Sequence, residues 1–254
     1  MGKYFNVTAK PYILPSEQHD GNITDTQILA DWTEFEIPKG PARLIGVTVL
    51  YRGKNGADVT PTDFEIFWAK SNPDGTAPTS LANTMEAVGA PAVGSPPWFN
   101  LIQGKTYIDA SVMTNDGDLT YMNVLSFFED ADDRSTMQSV VLQGEPNSGS
   151  NIGYDKLYCA LIAKATHNWG AASITVDGTP ATTQADMTVA DIDARLTFAP
   201  GDVIYDEDDR LMGTIKSVNS ATSLTFEDNL SNAGVNDKVL YNASPITLVL
   251  SFEQ

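Results

Sequence analysis

The sequence predicts an all-β protein: a β-sandwich carrying a small inserted β-barrel of SH3 or OB type. Three observations predict it. Short runs rich in β-branched and aromatic residues recur along the chain, punctuated by Gly, Pro, Asn and Asp clusters. Two β-rich runs lie far apart, Lys156–Ala165 (KLYCALIAKA) and Pro245–Gln254 (PITLVLSFEQ), and each looks like half of a buried pair. Between them lies a stretch dense in short strands and turns, long enough for a module of its own. The 254 residues suit one large β domain or two smaller ones. The expected division is an N-terminal arm (1–31), a sandwich (32–166 plus 245–254) and an inserted module (167–244). The two flanking runs are expected to be antiparallel neighbours.

The elements follow in order. Residues 1–31 are irregular, with Pro11 and Pro15, and Thr24–Ala30 is expected as a short helix capped by Thr24 or Asp25. Strands are expected at Trp32–Ile37, at Leu44–Tyr51, where β-branched residues dominate, and at Asp63–Ala69. In the last of these, Phe64, Ile66 and Trp68 share one face, and Glu65 and Phe67 the other. Gly53–Gly56 carries an Asn-Gly turn signal. Residues 71–97 form a long loop, bounded by Ser-Asn-Pro-Asp-Gly and Ser-Pro-Pro, with a short helix expected at Ser80–Val88. A loop of that length is usually an interaction element. Thr106–Thr114 and Leu119–Phe128 are expected to pair across an Asn115–Asp118 turn, followed by a short strand at Ser139–Gln143 and a turn-rich linker at Glu145–Gly153.

In the module, short strands are expected at Ser173–Val176, Arg195–Phe198, Asp202–Tyr205, Leu211–Val218, Ser223–Phe226 and Val239–Tyr241. Met187–Ile192 is expected as one helical turn.

Composition narrows the function. Lys+Arg 15 against Asp+Glu 33 gives a net charge of -18. Such a surface repels phosphate backbones and anionic membranes, so no direct nucleic-acid or membrane partner is expected. Cys159 is the single cysteine, which excludes an internal disulfide framework and a cysteine zinc cluster. Its apolar strand context marks it as a small buried hydrophobe. No apolar run approaches the ~20 residues that span a bilayer. The opening MGKYFNVTAKPYILP lacks the continuous apolar core of a secretory signal, and Gly2 lacks the Ser/Thr of a myristoylation site.

One stretch carries a resemblance. Phe198-Ala-Pro-Gly-Asp-Val-Ile-Tyr205, Met212-Gly-Thr-Ile-Lys-Ser-Val-Asn219 and Ser220-Ala-Thr-Ser-Leu-Thr-Phe226 form a meander pattern. In it, Gly201-Asp202 opens one strand, Gly213-Thr214 the next, and Ser223-Leu-Thr-Phe226 pairs back. This resembles a small β module of tailed-bacteriophage structural proteins, and the rest of the chain looks like the virion proteins that carry such modules. The resemblance implies a jelly-roll-like sandwich and a non-enzymatic virion component, a capsid decoration (cement) protein. It would be assembled in the host cytoplasm, sit on the outer surface of a phage head and contact the major capsid protein or other virion proteins. Copies on a symmetric lattice favour self-association as a trimer or other cyclic oligomer.

His19 and His167 are the two histidines and lie far apart. A Ser-His-Asp site needs a base, an orienting acid and a positioned serine, and no G-x-S-x-G, H-E-x-x-H or P-loop pattern occurs. No enzymatic activity and no cofactor are therefore expected. The acidic runs Glu129–Asp133 and Asp206–Asp209 lack the EF-hand pattern and read as solvated strand ends or turns. Paired glycosidase carboxylates remain a spatial question. Trp68 reads as core. Trp98, after Ser-Pro-Pro, and Trp169, at the module junction, are the candidates for exposed contacts. They also motivate an alternative function, a carbohydrate- or host-surface-binding sandwich of a phage fibre or tail.

Overall fold

The computed structural model describes residues 2–19, 23–52, 61–82, 86–89, 97–115, 121–126, 140–145, 154–167, 169 and 173–254. Its elements begin with β1 (Tyr4–Ala9), α1 (Pro15–His19), β2 (Ile28–Pro38), β3 (Ala42–Tyr51), β4 (Phe64–Lys70) and β5 (Ile102–Ile108). Then come β6 (Thr114–Asn115), β7 (Tyr121–Ser126), β8 (Val140–Leu142) and β9 (Tyr154–Ala163). The module contains β10 (Ile174–Asp177), β11 (Asp186–Ala190), α2 (Ala194–Thr197), β12 (Val203–Asp206), β13 (Leu211–Ser220), β14 (Ser223–Phe226) and β15 (Val239–Asn242), and β16 (Ile246–Glu253) ends the chain. The protein is all-β, and among the described residues every strand pair is antiparallel.

Two sheets and a barrel make up the fold. The first sheet runs β1-β16-β3-β7-β6, with β8 also on β3, and the second runs β2-β9-β4-β5. Residues of both sheets form one apolar cluster, with Val47, Val49, Leu248 and Leu250 from the first meeting Phe35, Ile66, Trp68 and Leu161 from the second. Alternation explains this. In β4, Phe64, Ile66 and Trp68 turn to that core, where Trp68 donates its indole N–H to Thr106 Oγ1 at 2.9 Å.

The outer face of the second sheet is apolar as well. Ala160 and Ile162 of β9 point there and are covered by Leu81, Val88 and Trp98. Strand β9 is therefore buried at every residue from Leu157 to Ala163, which accounts for its continuous apolar sequence. The long loop after β4 thus packs down on the sheet. Trp32 donates to Thr79 O at 3.0 Å, and the Asp31 carboxylate accepts from Leu81 N at 3.2 Å.

Strands β10-β11-β14-β13-β12-β15 close into a barrel with its own core, including Val176, Val189, Ile204, Ile215, Leu224 and Phe226. Gly213 is required in it. Its φ is 148°, and a Cβ there would meet Phe226 Cδ1 at 3.0 Å.

Several expectations are corrected. Lys156–Ala165 and Pro245–Gln254 are not neighbours: β9 lies in the second sheet and β16 between β1 and β3 in the first. Each is a central strand of its own sheet, and they meet only across the shared core. The arm 1–31 is not wholly irregular, because β1 pairs along β16 from Tyr4↔Glu253 to Ala9↔Leu248. Thr24–Ala30 is a turn leading into β2, since Ile28, Leu29 and Ala30 are all buried and a helix would turn one of them outward. Residues 80–82 and 86–88 are not helical. Met187–Ile192 begins as β11, with Met187 and Val189 alternating into the barrel. Arg195–Phe198 is a helical turn, because the Asp193 side chain caps Arg195 N at 3.0 Å. The Gly53–Gly56 turn, Asp116–Asp118, the run Glu129–Asp133, Ser139 and most of the Glu145–Gly153 linker lie outside the described residues.

Candidate interaction surfaces

His167 is fully buried beside the core. Its Nε2 lies 3.3 Å from Asp63 O, and its Nδ1 lies 2.8 Å from Tyr51 Oη. A carbonyl only accepts, so Nε2 carries the proton and Nδ1 accepts from the tyrosine hydroxyl. Burial pushes the imidazole down to about 4 and raises the Tyr51 hydroxyl. The ring is a neutral hydrogen-bonding wedge out of reach of solvent.

Trp169, expected at the surface, is 1% exposed. It stacks on Tyr51 at 5.2 Å and 14° and flanks His167 at 6.1 Å. Apolar area of this size, placed at the junction where the chain leaves β9, was drawn into the core. Trp169 is withdrawn as an exposed contact. Cys159 is buried on β9, and burial pushes its thiol up to about 12, so it holds no reactive thiolate.

Trp98 is half-buried on the outer side of the second sheet. Its ring lies 6.5 Å from Phe67 and 5.9 Å, edge on, from Phe99. Phe99 is 56% exposed. Together they make an aromatic ledge whose outermost ring is Phe99. The Ser-Pro-Pro-Trp-Phe string was its one signal.

The acidic run Asp206–Asp209 joins β12 to β13 as a tight turn, but Asp206 itself is buried. Its carboxylate accepts from Asp208 N at 3.1 Å, Arg210 N at 3.0 Å and the Arg210 guanidinium at 2.5 and 2.8 Å. Lys238 neutralises Glu207 at 2.6 Å and Asp208 at 3.3 Å. These carboxylates hold the turn, and no group of three or more metal-binding side chains occurs among the described residues.

The barrel is fastened to the two-sheet unit at a second buried carboxylate. Arg52, just after β3, makes a bidentate pair with Asp202 at 2.8 and 2.9 Å, and Asp202 also accepts from Ala199 N at 2.8 Å. The stretch from Lys10 through α1 lies across the same junction. Lys10 Nζ donates to Gly201 O at 3.1 Å, Gln18 Nε2 to Asn242 O at 2.8 Å, and Ser16 N to the Asp209 carboxylate at 3.0 Å. Tyr12 meets Tyr205 edge on at 5.6 Å across a cleft of about 350 Å³. The Gly201-Asp202 pair was legible as a strand opener. Its partner, 150 positions away, was not.

Compared with models of known families and with curated proteins, the chain matches none.

Proposed function

We propose that this protein is a non-enzymatic virion component: a capsid decoration (cement) protein on the outer surface of a tailed-phage head, built as a jelly-roll sandwich that displays a small barrel. The observation that carries this reading is the strand order. Taking β1, β2, β3, β4, β5, β7, β9 and β16 as the eight principal strands, one sheet reads first-eighth-third-sixth and the other second-seventh-fourth-fifth. That order matches the double Greek key of jelly rolls, a fold common in viral capsid and lectin domains, and so supports the reading. The barrel enters between the seventh and eighth strands. Two further features support the reading. The phage-like meander folds as the contiguous strands β12, β13 and β14. The Arg52–Asp202 pair and the arm contacts hold the barrel against the sheets, as a displayed module requires.

Peptide mass spectrometry of purified particles carrying this sequence tests the reading. The expected result is a copy number on the scale of the major shell protein. Particles that lack the chain overturn it.

One observation favours a second reading, a carbohydrate- or host-surface-binding sandwich of a fibre or tail. Phe99 stands exposed beside Trp98 on an outer sheet face, where an aromatic ring offers a stacking surface to the C–H face of a sugar. A glycan array probed with the folded wild type and with Phe99→Ala decides it. Capture lost in the variant supports the second reading, and no capture by the wild type removes it.

A further inference from the structure

We propose that the edge of β1 turned away from β16 is a strand-addition site, and that its occupant is β1 of a second copy of this chain, paired antiparallel about a two-fold axis through Asn6. The inference stands on the edge geometry and not on the virion reading.

The hydrogen-bond phase of β1 defines the edge. Lys3 and Gln254 exchange both backbone bonds at 2.9 Å, and the register then runs unbroken to Ala9↔Leu248. In an antiparallel pair, bonded residues alternate. Phe5, Val7 and Ala9 therefore bond β16, and the N–H and C=O groups of Tyr4, Asn6 and Thr8 point away from it. Among the described residues β1 has no other strand partner. The strand is held in place from inside, with Phe5 stacked on Phe252 at 5.3 Å.

The other sheet edges carry the devices that block strand addition. Strand β2 has two register shifts, bears Asp31, Glu34 and Glu36, and ends in Pro38. Strand β5 is shielded by Gln103, whose side-chain amide satisfies both Gln143 O at 2.6 Å and Gln143 N at 3.1 Å, and it bears Lys105. Strands β6 and β8 are two and three residues long. Strand β1 (YFNVTA) has six residues, no charge, no proline and no bulge.

Self-complementarity selects the occupant. Tyr4, Asn6 and Thr8 are spaced symmetrically about Asn6. A two-fold axis there sets Tyr4 of each copy opposite Thr8 of the other and Asn6 opposite Asn6, and each of these pairs exchanges two backbone bonds. The flanking lysines do not face each other in this register. Lys3 falls opposite Ala9 and Lys10 opposite Gly2, so the like-charge penalty of cross-strand pairs is avoided.

Sedimentation of the full chain tests the proposal, using Asn6→Lys and Asn6→Asp. The wild type is expected at the mass of two copies. Each single variant, its Asn6 side chain being exposed, is expected to keep the wild-type circular dichroism and a cooperative thermal transition, at a midpoint lowered only by the lost dimer linkage, but sediment as one copy, because like charges then face across the axis. An equimolar mixture of the two variants is expected to return to two copies. Amide exchange at Tyr4, Asn6 and Thr8 should be slow in the wild type and fast in either variant alone. A single-copy or three-copy mass for the wild type, a dimer that survives Asn6→Lys, or a variant mixture that stays monomeric overturns it.

Discussion

The buried His167 makes the fold acid-sensitive in a definite window. Its folded-state value is depressed from 6.5 to about 4. Between those values the unfolded chain binds a proton that the folded chain does not, so stability rises with pH there and is lost as pH falls. Above the upper value both states are neutral and the histidine contributes nothing to the slope. The full depression corresponds to about 3 kcal/mol, of which about 2 kcal/mol is lost between pH 7 and pH 5. Geometry supports the sign. Nε2 donates to Asp63 O, Nδ1 accepts from Tyr51, and Phe64 and Trp169 flank the ring. A second proton on Nδ1 would meet a hydroxyl that now donates, and would place a charge in an apolar layer.

His167→Gln isolates the effect. The glutamine amide keeps a donor for Asp63 O and an acceptor for Tyr51 but does not titrate. Urea unfolding of both proteins across this pH range should give stability curves that diverge as pH falls, with the wild type losing about 2 kcal/mol more than the variant by pH 5. Carboxylate titrations are common to both curves and cancel in the difference. Parallel curves would refute the reasoning, as would a His167 imidazole resonance, identified by its loss in the variant, that titrates near its ordinary value in the folded protein.

Two further outcomes follow from buried groups. Arg52→Met leaves the Asp202 carboxylate buried without its bidentate partner, with Lys10 only at 3.9 Å, and should destabilise the protein by about 3 kcal/mol in urea unfolding. Adding Asp202→Asn to that variant should recover part of the loss, whereas a single-variant loss under about 1 kcal/mol would show that the pair behaves as a screened surface contact. Cys159 should resist thiol-specific reagents in the native protein and react fully once unfolded, and rapid labelling of the native state would contradict its placement inside β9.

How much could be read from the chain depended on the range over which each signal acts. Period-two alternation is local, so β3, β4, β12 and β14 were legible, as were the inward faces of Phe64, Ile66 and Trp68. Asp193 capping α2 is local too, but a β-rich reading of Arg195–Phe198 masked it. The aromatic sites were harder. Trp98 ends half-buried on an outer face against Phe67 of β4, and Trp169 ends stacked on Tyr51 of β3, because the strands that cover them are remote in sequence. The Arg52–Asp202 clamp was invisible for the same reason.

The most instructive error concerns the two flanking runs. A hairpin between Lys156–Ala165 and Pro245–Gln254 assumes that strands bracketing an insertion pair with each other. The observed strand order forbids it. Strand β9 lies inside the second sheet, bonded to β2 and β4, and β16 lies inside the first, bonded to β1 and β3. Their sequences carry the distinction, once burial is considered face by face. Strand β9 is apolar without interruption because the loop after β4 covers its outer face, while β16 alternates at its end, with Leu250 and Phe252 buried and Ser251 and Glu253 partly exposed. That distinction does not by itself assign partners, since β9 pairs with β2, where Glu34 and Glu36 are exposed while Phe35 and Ile37 are buried. What excludes the hairpin is occupancy: both edges of each strand are taken by other strands, and shared β-richness carries no information about which ones.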